Sequence, residues 1–188
     1  MLLEDQRIGE AAWIPSTGHI GVRSFVTRQG WAVLDIDPET GEGTPIPGID
    51  PRAALQSPAW SRDGSTMLAV RRTEARPDGS YGYDLLVGPA TDFAQARVIL
   101  SGDDAPRDPV FIQDGSAILF GLAGVGNRVS TWALPADGSR DPMLVDNDGG
   151  PYGTPSLSPD GRHMVQMSAS NSMMRRLTLA GLRAAPTN

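Results

Sequence analysis

Apolar and polar residues alternate in short runs along the whole chain, and the runs come in sets. Clear alternations occupy His19 to Ser24, Thr66 to Arg71, Ala117 to Gly121 and His163 to Ser168. A period of two is the signature of a β-strand. Each run follows an anchor, a large apolar residue and then a turn ending in glycine. The anchors read Ala-Trp-Ile-Pro-Ser-Thr-Gly at 12–18, Ala-Trp-Ser-Arg-Asp-Gly at 59–64, Val-Phe-Ile-Gln-Asp-Gly at 110–115 and Ser-Leu-Ser-Pro-Asp-Gly at 156–161. Their glycines stand at 18, 64, 115 and 161, in steps of 46, 51 and 46 residues. Asp-Gly between two alternating runs signals a hairpin, because both residues tolerate positive φ.

A third run follows in each copy: Trp31 to Ile36, Tyr83 to Val87, Ser130 to Leu134 and Arg175 to Leu179. A fourth appears at Thr44 to Pro47, Arg97 to Leu100 and Pro142 to Val145, and is missing from the last copy. Residues 1–5, Met-Leu-Leu-Glu-Asp, precede the first anchor as the fourth runs precede theirs, and are expected to complete the last unit. No window competes as a helix. Thr91 to Ile99 has a single apolar turn, and Pro or Gly interrupts every longer candidate, each at a cost in helix stability.

Ser158-Pro-Asp-Gly-Arg, with Ser61-Arg-Asp-Gly-Ser and Gln113-Asp-Gly-Ser beside it, resembles the PD40 motif of TolB-like, WD40-like β-propellers. The resemblance covers nearly the whole chain, residues 1–188 reading as a single repeat array, and its period lies near that of propeller blades. It implies an all-β fold, a β-propeller of four four-stranded blades. Three assemblies follow from it: a closed four-bladed ring, half of an eight-bladed dimer, or a piece of a larger propeller. The first copy departs by Pro15-Ser-Thr-Gly18, which lacks the Asp, and the fourth by Leu157 where the family has an aromatic residue. The family implies a bacterial, non-catalytic scaffold that binds a protein or peptide, in the periplasm or otherwise outside the cytoplasm. An alternative is the non-catalytic propeller domain of a prolyl-oligopeptidase-type hydrolase. A second alternative is a propeller enzyme acting on a carbohydrate or small molecule.

Composition narrows this further. Net charge is -6 with no basic stripe, so a nucleic-acid partner is not expected. Glycine (22) and proline (16) recur throughout, which fits many short elements joined by tight turns. Cysteine is absent, so disulfides and thiolate metal sites are excluded. No apolar run has the length of a membrane span, and Met1-Leu2-Leu3 runs directly into Glu4 and Asp5, unlike a signal peptide.

Catalytic patterns are weak. Gly79-Ser-Tyr-Gly82 has the wrong spacing for a nucleophile elbow. His19 and His163 occupy equivalent strand-start positions, which favours a structural role. Asp146-Asn-Asp-Gly-Gly150 resembles a calcium loop but lacks the distal Glu and reads as a solvated turn, as do Asp35-Ile-Asp37 and Asp103-Asp104. Gly121 to Gly126 leads into a strand rather than a helix N-terminus. No catalytic set, cofactor or metal is expected.

Recognition is expected on the connections that run from one blade to the next: Asp5 to Arg7, Asp50 to Arg52, Asp103 to Asp108 and Asp146 to Tyr152. The first three put Arg7, Arg52 and Arg107 just beyond an Asp, and Tyr152 closes the fourth. Arginine presents a planar donor fork to carboxylates. The competing reading has each Arg paired with its neighbouring Asp at the surface, where such pairs contribute little. The loop Thr73 to Gly82 is expected on the same face, with Arg71, Arg72 and Arg76 as a local basic cluster and Tyr81 and Tyr83 as interface aromatics. The four tryptophans read as structural, Trp13 and Trp60 at anchors, Trp31 and Trp132 on third strands. A homodimer of half-rings is an expected way to cover the terminal strand edges.

Overall fold

The computed structural model describes residues 7–26, 30–112, 115–124, 128–150, 156–158, 162–167 and 174–179. It is built of antiparallel sheets, with two short 3-10 turns and no α-helix among the described residues. Sheet 1 contains β1 (Arg7–Ile14), β2 (His19–Val26), β3 (Gly30–Ile36) and β4 (Gly43–Pro45), in that order. Sheet 2 follows with β5 (Gln56–Trp60), β6 (Thr66–Arg72), β7 (Tyr83–Pro89) and β8 (Arg97–Gly102). Sheet 3 has β9 (Arg107–Phe111), β10 (Ala117–Ala123), β11 (Val129–Pro135) and β12 (Met143–Gly149). Sheet 4 has β13 (Ser156–Leu157), β14 (His163–Met167) and β15 (Met174–Thr178). Successive meanders, each with its strands in chain order, are the blades of a β-propeller. Residues 1–5 lie outside the described residues.

The chain divides into two compact units, 1–105 and 106–188. In the first, sheets 1 and 2 enclose a core of Ile14, Val33, Ile46, Leu55, Trp60, Met67, Ala69, Leu86 and Phe93. Trp60 is its wedge, only 7% exposed. Its ring lies on Gly21 of β2, and a Cβ at that glycine would fall inside the ring's outer carbons. Trp13, the corresponding anchor residue, is 59% exposed. It lies on the face of sheet 1 opposite Ile14, and so takes no part in the core that holds Trp60.

In the second unit, Leu119 and Ala133 of sheet 3 pack with Met164 of sheet 4 and with Leu179, which follows β15. A buried polar line accompanies them. Thr131 Oγ1 donates to Gln166 Oε1 at 2.8 Å, and Gln166 Nε2 donates to Asp146 Oδ2. The solvated-turn reading of residues 146–149 is corrected. Asp146 to Gly149 belong to β12, paired to β11 through Thr131 opposite Asp146 and Val129 opposite Gly149, and the Asp146 carboxylate accepts from Gln166 Nε2 and from the Asp148 N–H at 3.1 Å. The single apolar turn at 91–99 becomes a 3-10 turn, Phe93–Gln95, with Phe93 in the core. A second 3-10 turn, Pro51–Ala53, has no counterpart in the sequence reading.

The recurring Ser and Asp of the anchors build their turns by hydrogen bonding. The Ser61 hydroxyl donates to Asp63 Oδ1 at 2.7 Å and accepts the Thr66 N–H at 3.0 Å. Ser65 gives Asp63 two more bonds, from N–H at 3.1 Å and Oγ at 2.9 Å. Gly64 has φ +69°, a conformation open to glycine at little cost. Ser158 repeats the pattern, accepting the His163 N–H at 3.0 Å. In the first anchor, which lacks that serine, the Gly18 N–H reaches Ile14 O at 3.0 Å and the Thr17 hydroxyl accepts the His19 N–H at 3.2 Å.

These bonds, the Ser61 hydroxyl first, hold the Asp63 carboxyl below the usual carboxylate range. A depressed carboxylate stabilises the fold above its unfolded value, about 3.9, and the contribution fades as pH falls through the lower folded value. Replacing the serine, Ser61→Ala, is expected to cost about 1 kcal/mol at neutral pH. It is also expected to flatten the loss of stability on acidification. Urea midpoints at neutral and acidic pH, for wild type and variant, check both effects.

Candidate binding cleft

An open cleft of about 620 Å³ lies on the first unit, where the link from sheet 1 to sheet 2 meets the end of β6 and the loop after it. Its wall includes Asp50, Arg52, Arg71, Arg72, Glu74, Tyr81 and Asp84.

The link is shaped locally. Asp50 caps the Pro51–Ala53 turn, its Oδ1 accepting the Arg52 N–H at 2.9 Å. Pro51 fits the first position because its missing N–H has no partner to lose there. Ala54 ends the turn in the left-handed region, φ 47°, and Leu55 then enters the core. Arg52 is left exposed on the cleft wall. The expected surface pairing of Arg52 with Asp50 takes a different form: the carboxylate binds the backbone N–H. Among the described residues the Arg52 guanidinium makes no ion pair.

The β6–β7 loop is pinned at its base and at its tip. Thr73 N–H reaches Gly82 O at 2.9 Å, and Gly82 N–H reaches Thr73 Oγ1 at 2.9 Å. At the tip Asp78 accepts Ser80 N–H and Oγ at 2.9 and 2.7 Å. Arg76 Nη2 donates to Asp103 Oδ1 at 2.6 Å, which raises the Arg76 pKa, the hydrogen bond being the first cause. Both partners are exposed, so this pair adds little stability. Within the loop's span Tyr81 comes under Arg72, whose guanidinium carbon is 4.3 Å from the ring centroid.

Beneath these groups sits a pair that the sequence reading missed. Asp84 is buried on β7, opposite Arg71 on β6. Its Oδ2 accepts from Arg71 Nη2 at 2.6 Å and Nε at 3.2 Å, and its Oδ1 accepts Ser101 Oγ at 2.7 Å. Burial is the largest single influence on the Asp84 carboxyl and pushes its pKa up. The Arg71 and Ser101 bonds with the Arg71 charge outweigh it, so the pKa ends below the usual value. The signal in the sequence was an acidic residue inside an apolar strand, Tyr83-Asp-Leu-Leu-Val, in register with an arginine.

Of the arginines and tyrosines singled out from sequence, the cleft gathers Arg52, Arg71, Arg72 and Tyr81. Arg76 is on the same loop but engaged with Asp103. Arg107 is corrected from a connection to a strand: it begins β9, opposite Gly121, in the second unit. Arg7 begins β1, its backbone paired to Phe25, and its side chain lies outside the described residues. Tyr152 lies outside them as well.

With Arg71 matched to Asp84 and Asp50 committed to its turn, the charges on the wall without an ion-pair partner among the described residues are Arg52, Arg72 and Glu74. The cleft therefore offers two guanidinium groups, one stacked on an aromatic ring. That chemistry suits a carboxylate or a polar chain segment. Chemistry of other kinds is sparse. His19 Nδ1 lies 2.8 Å from Asp35 Oδ1, and no group of three or more His, Asp or Glu able to hold a metal ion occurs among the described residues. No helix among them is long and apolar enough to cross a membrane.

No protein-family model matches the sequence, and no curated protein matches it. Solved structures do. TolB from Acinetobacter baumannii is similar at 19% identity and a TM-score of 0.63, over 92% of this chain and 44% of that one. The putative TolB from Agrobacterium tumefaciens is similar at 17% identity and a TM-score of 0.68, over 93% and 62%. A puromycin-hydrolyzing peptidase of Mycobacterium tuberculosis is similar at 15% identity and a TM-score of 0.66, over 95% of this chain and 29% of the peptidase. The chain thus spans less than two thirds of each, and what it shares with them is the β-propeller fold.

Proposed function

We propose that the chain is a non-catalytic binding propeller that takes a protein or peptide partner in the cleft of its first unit. The observation that carries this reading is the joint position of Arg52 and Arg72 on one wall, with Tyr81 under Arg72. The guanidinium of Arg72 is oriented by the Tyr81 ring, so less of its side-chain freedom is lost when a carboxylate binds, while the capped turn fixes the backbone that carries Arg52. Aromatic and arginine side chains are the groups that dominate protein interfaces.

A peptide library displayed against the chain tests it. Enrichment of carboxylate-bearing peptides is expected. Affinity for the enriched peptides is expected to fall at least tenfold, about 1.4 kcal/mol, in the double variant Arg52→Ala, Arg72→Ala. No enrichment, or enriched peptides that bind the double variant equally well, overturns the proposal.

A second reading is favoured by the peptidase match, in which a chain much longer than this one contains the same fold. In that reading the propeller is the non-catalytic part of a hydrolase. A natural reading frame that continues into a hydrolase domain would support it, and one that carries no such domain would remove it.

A further inference from the structure

The cleft of the first unit is not lined for an anion alone. Its wall carries three arginines, Arg52, Arg71 and Arg72, and three carboxylates, Asp50, Glu74 and Asp84. Asp84 holds Arg71 through Nη2 and Nε, and Asp50 holds the Arg52 N–H. Glu74 has no such engagement. Among the described residues its carboxylate makes no ion pair and no hydrogen bond, and it is exposed on the wall.

The chain fixes where that carboxylate stands. Thr73, the residue before it, is tied across the base of the loop to Gly82. Thr73 N–H reaches Gly82 O at 2.9 Å, and Gly82 N–H reaches Thr73 Oγ1 at 2.9 Å. The Thr73 hydroxyl also donates to Gly82 O at 3.1 Å. Glu74 therefore projects from a pinned backbone at the foot of the loop, away from its tip at 78–80. A segment whose carboxylate is taken by Arg52 and Arg72 meets Glu74 on the same wall. A second acidic side chain there is opposed by like charge, and a cation is matched. The net charge of -6 acts in the same direction against strongly acidic partners.

We propose that Glu74 is the specificity-determining residue of the cleft, selecting segments in which a Lys or Arg side chain stands near the carboxylate that Arg52 and Arg72 take. The selection rests on the reading of the cleft as a peptide site. It adds a rule of sign: the preferred segment is of mixed charge, and a run of acidic residues is rejected.

Peptides enriched for their carboxylate are acetylated and amidated, so that the termini carry no charge. Each is remade with Lys, Gln or Glu at the positions one and two residues from the carboxylate. Dissociation constants are measured by isothermal titration for wild type, Glu74→Gln and Glu74→Lys. At one of these positions wild type is expected to bind the Lys peptide about fivefold tighter than the Glu peptide, with Gln between them. The preference should collapse in Glu74→Gln and reverse in Glu74→Lys, a reversal that misfolding cannot produce. Wild type with no preference for Lys at any position, or a preference that either variant leaves intact, overturns the proposal while the carboxylate site stands. Peptides that bind the double variant Arg52→Ala, Arg72→Ala as well as wild type would instead remove the site, and the selection with it.

Discussion

Replacing Trp60 by alanine is expected to lower the unfolding free energy by about 3–5 kcal/mol, the range for removing a large aromatic side chain from a core. Trp60 is the side chain that fills the space between sheets 1 and 2, in contact with residues of both. Those sheets are joined across that core, so the cavity would open at their seam and little can collapse to fill it. The complementary change attacks the same contact from the other side. Gly21→Ala places a methyl group where the Trp60 ring lies, and overpacking of this kind costs about 1–3 kcal/mol. With Trp60 already reduced to alanine, the added methyl has room, so the double variant should lose less than the sum of the two single losses. Urea unfolding of the four proteins, followed by circular dichroism, measures the coupling. Simple additivity would mean that the ring does not rest on Gly21.

Asp84→Ala is expected to cost about 2–3 kcal/mol, as expected for a buried acceptor of charge-assisted hydrogen bonds. It removes the acceptor of Arg71 and of Ser101 at once and leaves Arg71 unmatched on the cleft wall. Asp84→Asn keeps the shape and one acceptor oxygen, and should recover part of the loss. The pH dependence has a definite sign. The Asp84 carboxyl titrates below its usual value in the fold, so its contribution is complete above the unfolded value of about 3.9. It fades as pH falls through the lower folded value. Wild type should therefore lose more stability between neutral and acidic pH than Asp84→Asn does, a comparison made by urea midpoints. An equal loss in the two proteins would place the acid sensitivity elsewhere. For the cleft, the unmatched Arg71 of Asp84→Ala adds a third free guanidinium beside Arg52 and Arg72. Tighter binding of carboxylate-bearing peptides by the folded variant is the accompanying expectation.

The sequence by itself determined the strands and the turns. Alternation of period two is a property of one strand and its own two faces, so β2, β6, β10 and β14 can be read without knowing what covers them. The anchor turns are equally local. Ser61, Asp63 and Gly64 act within five residues of one another, through hydrogen bonds and one positive φ that their side chains dictate. The repeat of such units is what made a propeller legible.

Only the tertiary structure decided which of two equivalent residues is core. Ala12-Trp13 and Ala59-Trp60 are alike in sequence, yet one ring is exposed and the other buried, because burial depends on the neighbouring sheet. The cleft divided in the same way. Arg52, Arg72 and Tyr81 could be named from the chain, since each follows from loop position and residue type. The Arg71–Asp84 pair beneath them could not, because it rests on the register between β6 and β7. Asp146 likewise changed from turn to strand, because its backbone pairs with Thr131 of β11. Interactions closed within a few residues were written in the sequence; those needing a partner from another strand or sheet waited for the fold to bring it.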